Sequence, residues 1–468
     1  MSKISFKYLS VFFALTSLIS FLHILYSYYF NLYLNLDTYF YTLIISSIIS
    51  FVFYKTKISQ DKSNIFDKII TILLGYLLLP LILLIPFYLS IYNFTFINSF
   101  FESVSGFTST GFSTIENIKH IDQSLILWRS SIQWIGGFYF LFSIIFLIDI
   151  YDESLKKSLT NFFSFNNSEI IKQTTKIFIL YSSLTFFIFI TLNLFDVRTF
   201  NSFNLAMTII SSGGFLPVND VSMILNSDIK KLVFSFLMLI SYFSIFFIYN
   251  LLFIKQKNKD FFYEDYHLAI YLIFLVSIFF IFFSFDNNFV DIFFIISSSI
   301  SNIGFSTDTS QINLTFIYLI LVIIGGSFFS TSSGLRFIKI YTLFKFSLNQ
   351  MLSFSKPRNI FMSKLAFSNI NFNIQVINKY FLSIVIFIIS LFSLTILLSF
   401  FEINLEQGFK LSVLTLMNTV NSSAYGLGEF DFYNLHFLNK YCLILFMIIG
   451  RIELLTILLI LKKYLFKR

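Results

Sequence analysis

Hydrophobic residues fall in blocks long enough to cross a bilayer, near 5–30, 38–54, 69–92, 126–150, 173–195, 232–253, 266–285, 313–346, 379–401 and 438–461. A spanning helix needs about 20 mainly apolar residues, so the pattern predicts ten spans and both termini on one side. The block 313–346 is interrupted by SFFSTSSG (327–334), which is small and polar where a span should be apolar. After the first two spans a second pattern recurs four times. NFTFINSFFESVSGFTSTGFST, TFNSFNLAMTIISSGGFLPVND, NNFVDIFFIISSSISNIGFSTD and NLEQGFKLSVLTLMNTVNSSAYGLGEF each sit between two spans. Each opens with roughly 10–14 semi-apolar residues, right for a re-entrant half-helix and too short to span. Each then runs into glycine and hydroxyl residues, which end the helix. Such repetition means one structural unit used several times. The expected organisation is two N-terminal spans (1–60) and four units at 61–160, 161–260, 261–365 and 366–468. The fold class is an all-α polytopic membrane protein with helix–pore loop–helix repeats around a pseudo-fourfold pore.

Composition agrees with this reading and removes other classes. The chain is 57% hydrophobic and 12% charged, with 70 Phe, and its mean hydropathy is +0.82, far from soluble domains. One cysteine, Cys442, excludes an internal disulfide, and four scattered histidines (His23, His120, His267, His436) have no metal-ligand spacing. The net charge of +8 does not indicate nucleic acid, because the basic residues lie in short loops between spans. On the predicted topology 23 of the 32 Lys and Arg fall on one side, and the positive-inside rule makes that side the cytosol. The N-terminal apolar run is too long for a cleaved signal peptide and reads as a first span. In so Phe-rich a chain the aromatic stripes are packing or lipid-facing residues; Trp128 and Trp134 read as interface or packing residues, and Ser130 and Ser131 as helix–helix contacts.

Irregular backbone at membrane depth persists only where it is buried in protein or lines a wet cavity. Four re-entrant loops meeting at one axis satisfy both conditions. Half-helices aiming their C-terminal dipole ends inward favour a cation, and carbonyl oxygens beyond each helix end can replace its hydration shell. Glycine permits the backbone angles this requires. Acidic residues follow each loop: Glu116, Asp220, Asp308, and Glu429 with Asp431. Around an outer mouth they would concentrate cations; singly, each reads as an ordinary solvated loop residue.

Four motifs in order, ESVSGFTSTGF (102–112), WRSSIQWIGG (128–137), GGSFFSTSSGLRFIKI (325–340) and IIGRIELLTILLIL (448–461), make the whole chain resemble the Trk/Ktr/HKT superfamily of potassium transporters, specifically its membrane-embedded subunit. The resemblance implies potassium uptake, with potassium as substrate and no bound cofactor. It implies a filter made by Ser109, Thr110 and Gly111 in the first loop and by Asn302, Ile303 and Gly304 in the third. The second loop contributes Ser212, Gly213 and Gly214, with Gly214 favoured as the filter glycine by the phenylalanine that follows. In the fourth, NSSAYGLG departs from the family's Asn-Asn-x-Gly-x-Gly, so Ser423, Ala424, Tyr425 and Gly426 are the candidates, with Ala424 at the glycine position unless Gly426 takes it. The polar interruption, Ser327 through Ser330, Thr331, Ser332, Ser333 and Gly334, corresponds to a gate beneath the filter. Arg451 would donate to its backbone carbonyls; pairing with Glu453 or plain helix packing is the alternative. Arg336 is expected to snorkel to the cytosolic surface.

The resemblance further implies a homodimer in the bacterial cytoplasmic membrane, both termini in the cytosol, and a cytosolic regulatory ring of nucleotide-binding folds. No nucleotide-binding unit is present in the chain itself. The basic stretch 345–379 and the tail KKYLFKR suit such a ring or anionic lipids. A secondary transporter of sodium or a small solute also uses broken helices, but predicts inverted halves where four like-oriented repeats are read here. A membrane enzyme needs convergent polar residues in the spans, which hold almost none.

Overall fold

The computed structural model describes residues 6–56, 65–148, 170–252, 263–283, 288–307, 314–355 and 374–452. Among them every regular element is helical, and the one β feature is an isolated bridge between Ile324 and Leu335. Helices α1 (Phe6–Tyr29) and α2 (Leu36–Tyr54) pack as a hairpin. Four sets follow. The first is α3 (Ile65–Leu83), its short continuation α4 (Ile85–Tyr88), α5 (Phe96–Phe107) and α6 (Gln123–Phe146). The second is α7 (Ile170–Leu194), α8 (Thr199–Ile210), α9 (Asp228–Tyr242) and α10 (Ile245–Leu252). The third is α11 (Tyr263–Phe283), α12 (Phe289–Ile300), α13 (Thr315–Ile323) and α14 (Phe337–Ser355), and the fourth α15 (Ile374–Ser399), α16 (Leu405–Leu416) and α17 (Phe437–Arg451). Each set is a leading helix, a half-helix and a return helix.

Among the described residues six helices, rather than ten, are long and apolar enough to span on their own: α1, α2 and the leading helix of each set. Those leading helices turn Leu, Ile and Phe outward, as Ile281 and Phe282 do. The return helices escape a hydropathy reading because they face protein. Helix α6 buries every residue except Gln123 and Trp134, including Arg129 and Gln133. The return helix of the second set was expected to be continuous over 232–253, and it is broken at Phe243–Ser244. Nothing local dictates that break; the third set's interruption docks there, as described below.

The half-helices and return helices close into a ring. Helix α6 packs on α8, α9 on α12, α13 on α16, and α17 on α5. Two of these seams carry the same polar clasp. Lys231, in the first turn of α9, bonds Asp291 of α12 at 2.7 Å, and Lys440, in the first turn of α17, donates to Asn98 of α5 at 2.7 Å. Asp291 and Asn98 are each the third residue of their half-helix. At a third seam Ser130 of α6 donates to Asn204 of α8 (2.8 Å). Several basic residues counted to the outer side by sequence are thus internal fastenings. Loops 1 and 3, and loops 2 and 4, therefore face one another across the ring.

Candidate functional site

The four half-helices are each 12 residues long and end alike. One helical residue past each end the chain turns left-handed: Ser109 (φ 56°), Ser212 (55°), Asn302 (58°) and Asn418 (48°). The two N–H groups that close each turn go to the same carbonyls. In the first loop Ser109 N bonds Gly106 O and Thr110 N bonds Ser105 O, both at 2.9 Å. The equivalent pairs occur at Ser212 and Gly213, Asn302 and Ile303, and Asn418 and Thr419. This is the Schellman helix stop, made with Ser and Asn in place of glycine. Asn visits the left-handed region more readily than most residues; here the Asn and Ser side chains at these positions bond distant segments rather than their own turn.

The geometry sets the register of each loop. Ser109–Gly111, Ser212–Gly214 and Asn302–Gly304 are equivalent, and Gly214 stands where Gly111 and Gly304 stand. The fourth loop differs from expectation. Its equivalent segment is Asn418–Thr419–Val420, so Val420 occupies the glycine position. Ser423, Ala424 and Tyr425 instead form a separate 3-10 turn closed by Gly426 in the left-handed region. That turn lies against the third set, with Ser423 Oγ 2.8 Å from Ser306 Oγ and Tyr425 Oη 3.2 Å from Ser299 Oγ. The misplacement has a physical origin: YGLG reads as a filter glycine run, but the half-helix stop is set by the Asn418 turn several residues earlier.

Side chains at the left-handed positions belt the loops together. Ser212 Oγ donates to Ser301 O in a close contact, Asn302 Nδ2 to Thr419 Oγ1 (3.2 Å), and Asn418 Nδ2 to Thr110 Oγ1 (3.0 Å). The belt thus runs from loop 2 to 3, 3 to 4 and 4 to 1. At the remaining seam Arg451 Nη2 reaches both Ser109 Oγ and Ser211 O at 3.4 Å. Hydroxyls inside the half-helices brace three loops from behind: Ser105 Oγ donates to Phe112 O (2.6 Å), Thr208 Oγ1 to Phe215 O (3.1 Å), and Ser298 Oγ to Phe305 O (2.7 Å). The same half-helix position in the fourth is Leu414, which has no hydroxyl.

All twelve residues 109–111, 212–214, 302–304 and 418–420 are buried. No described residue donates a hydrogen bond to any of their backbone carbonyls. Buried carbonyls are normally paired, so these four loops gather twelve backbone acceptors that have no partner among the described residues. The converging half-helix ends each add about half a negative charge.

Three residues that hold the loops were missed by sequence reasoning, although all lie within the quoted motifs. Glu102 of α5 and Arg129 of α6 form a fully buried ion pair (2.9 Å, each 2% exposed). Glu102 also accepts from Thr114 N (2.9 Å) and Ser113 Oγ (3.1 Å), while the Arg129 guanidinium lies 4.2 Å over the Phe215 ring of loop 2. Gln133, its amide oriented to complete its bonds, accepts from Gly214 N (3.0 Å) and Phe215 N (3.1 Å) and donates to Thr208 Oγ1 (3.1 Å). Charged and amide residues inside a membrane segment were the available signal.

The polar interruption at 327–334 forms a closed loop, pinched at its neck by Gly325 N to Leu335 O (2.9 Å) and Leu335 N to Ile323 O (3.0 Å). It docks into the break between α9 and α10. Ser327 N donates to Tyr242 O (3.0 Å), Ser332 N to Ser241 O (3.1 Å), and Ile245 N to Phe329 O (3.2 Å). The loop is held by Arg336, contrary to expectation: its Nη1 donates to Ser327 O and Ser332 O, both at 3.0 Å, and to Ser330 Oγ (3.2 Å). Arg336 is buried and does not snorkel, because the loop offers it carbonyls that the bilayer would not. Arg451, also buried, makes a close contact to Ser333 Oγ, a side-chain hydroxyl rather than one of the loop's backbone carbonyls. It joins this loop to the ring above, since the same guanidinium bonds Ser109 and Ser211. Thr331 Oγ1 approaches Ser241 O (3.5 Å), and Gly334 takes φ 82° at the neck.

Two further carboxylates were missed. Glu264 Oε1 accepts from Phe328 N (3.0 Å) and Asp265 Oδ1 from Ser244 N (2.9 Å), so α11 begins with an acidic pair that braces the loop and the helix break together. Of the acids expected at an outer mouth, Glu116, Asp220 and Glu429 are exposed, as is Asp431. Asp308, Glu453, the tail 462–468 and the basic residues between 356 and 373 lie outside the described residues.

Comparison with known proteins follows the same line. Residues 281–466 match the family model TrkH, described as a cation transport protein. An uncharacterized cation transporter of Methanocaldococcus jannaschii is 26% identical over 337 residues, covering 68% of this chain and 67% of its own length. The Trk system potassium uptake protein TrkG of Escherichia coli is 24% identical over 426 residues, 86% of this chain and 85% of its own. TrkH of Salmonella typhimurium is 23% identical over 391 residues, 78% of each. The crystal structure of the potassium transporter TrkH from Vibrio parahaemolyticus shares the fold, with a TM-score of 0.83, 18% identity and 97% of each chain covered. The family match, the relatives and the quoted motifs agree: over most of its length the chain is similar to cation transport proteins of the Trk type, and it shares the fold of a solved TrkH.

Proposed function

We propose that this protein takes up potassium through the centre of the four-loop ring. The observation that carries the reading is the set of twelve buried carbonyls, three per loop, which accept no hydrogen bond from described residues. Rings of backbone carbonyls can replace the hydration shell of potassium, and the four half-helix ends make the site favourable to a cation. The filter is then Ser109–Gly111, Ser212–Gly214, Asn302–Gly304 and Asn418–Val420, each contributed by one of four repeats with boundaries near 61–160, 161–260, 261–365 and 366–468. Glu116, Asp220, Asp308 and Glu429 serve as the outer acids. The loop 327–334 is the gate beneath the filter, held by Arg336 and linked to the filter by Arg451. The homologues' names, which include potassium uptake, support the substrate.

The same reading places both termini in the cytosol, in a bacterial inner membrane, with a homodimer, a nucleotide-binding regulatory ring and anionic lipids as partners. The strong basic bias to one side supports the orientation. Reconstituted vesicles decide the matter: potassium and rubidium should enter down an imposed voltage much faster than sodium. Gly111 has φ 83°, and a Cβ there would fall 2.6 Å from Gly214 Cα. Gly111→Ser should therefore lower the potassium-to-sodium flux ratio in protein that remains folded. Equal fluxes of the three ions through the parent, or an unchanged ratio in the variant, reject the filter.

A further inference from the structure

The fourth loop sets a valine among three glycines, and its side chain is the largest group in that layer of the ring. A Cβ built on Gly214 would fall 2.3 Å from Val420 Cβ and 2.9 Å from Cγ2, so the isopropyl group packs directly on the Gly214 backbone. A Cβ on Gly304 would meet Val420 Cγ1 at 2.9 Å. Loop 2 faces loop 4 across the ring and loop 3 is loop 4's neighbour. A side chain that touches both reaches over the axis. The backbone responds as well. Gly111 and Gly304 take φ 83° and 87°, whereas Gly214 and Val420 stay out of that region. The φ pattern is thus twofold in a fourfold ring, and Val420 stands at one of the two positions whose conformation a β-branched residue can adopt. Among the described residues its carbonyl, like the others, accepts no hydrogen bond.

We propose that Val420 is an apolar constriction inside the filter itself, which limits the rate of ion passage and acts separately from the loop at 327–334. This rests on the pore reading above. Apolar constrictions gate by dewetting: a cation crossing this layer has carbonyl oxygens available but must share the axis with methyl groups until the side chain rotates aside. Three glycines and a small fourth residue would leave that layer open. Both bulk and apolarity matter on this account, and they can be separated by substitution.

The experiment measures rubidium flux into vesicles containing the full-length chain, for Val420→Ala, Val420→Thr and Val420→Ile beside the parent, with Gly111→Ser as a reference. Monodisperse elution and an unchanged melting temperature in detergent verify the fold of each variant. Val420→Ala should raise the flux about tenfold or more and Val420→Ile should lower it. Val420→Thr, nearly the same shape with a hydroxyl, should lie above the parent. Parental flux in both the Ala and Thr variants, while Gly111→Ser still shifts the potassium-to-sodium ratio, overturns the constriction and leaves the pore standing. If Gly111→Ser also has no effect, the pore reading falls with it. Should Val420→Ala fail to fold, the Thr and Ile variants decide the question by the same comparison.

Discussion

At the scale of single residues, the polar groups that shape the loops are those the motifs already contained, and the chemistry of each shows only with its partner in place. Glu102 and Arg129 lie 27 positions apart and read separately as unexplained charges. Together they form a buried pair that also fastens Ser113 and Thr114. Breaking a buried ion pair by removing one partner costs about 3–5 kcal/mol, because the other charge is left uncompensated. Glu102→Ala should therefore lower the melting temperature of the detergent-solubilised protein sharply, and Glu102→Ala with Arg129→Met should recover part of the loss. An additive double variant would show that the two do not act as a pair. The register of the fourth loop was the main residue-level error, since sequence weighs the glycines of YGLG whereas the backbone turns at Asn418. Ala424 lies in the turn beyond the ring. Ala424→Gly should leave the potassium-to-sodium ratio unchanged, and a sharpened ratio would return that residue to the filter.

At the scale of elements, the half-helices were legible because length and punctuation define them: runs of about a dozen residues between spans, closed by small polar residues. The break in the second return helix was not legible. Residues 232–253 are apolar enough to read as one span, and only the docked loop explains why they part. The carbonyls of Ser241 and Tyr242 accept N–H groups from Ser332 and Ser327, and Ser244 N turns to Asp265. An unsatisfied buried donor costs about 1–3 kcal/mol. Asp265→Ala should accordingly raise amide exchange around residues 241–246 and lower the melting temperature by a few degrees, while Asp265→Asn, which retains an acceptor oxygen, should restore most of both. Unchanged exchange in the alanine variant would mean that the carboxylate does not brace the break.

At the scale of the whole molecule, the ring and the loop beneath it share one side chain. Arg336 bonds the loop through Ser327, Ser330 and Ser332, and its guanidinium lies 5.0 Å over the Phe140 ring of α6. Arg451 bonds the loop at Ser333 and the ring at Ser109 and Ser211, at the one seam of the belt that no side chain from a left-handed position spans. Sequence reasoning assigned a gating latch to Arg451 and a surface role to Arg336, because a lone arginine's partner in a span cannot be read without the backbone that meets it. The arrangement predicts two different phenotypes. Arg336→Gln loosens the loop and leaves the ring's belt intact, so voltage-driven rubidium flux should rise while the potassium-to-sodium ratio stays at the parental value. On the gating role proposed above, Arg451→Gln removes the tie between loop and ring and weakens the seam between loops 1 and 2, so flux should rise and the ratio should fall together. Hydrogen bonds to a charged group contribute about 1.5–3 kcal/mol each, enough to shift an open–closed ratio roughly ten- to a hundredfold. Dual-ion flux measured on both variants in the same vesicles separates the cases. Equal effects on rate and ratio in both would mean that loop and ring move as one body, and a higher flux with an unchanged ratio in Arg451→Gln would confine that residue to the gate.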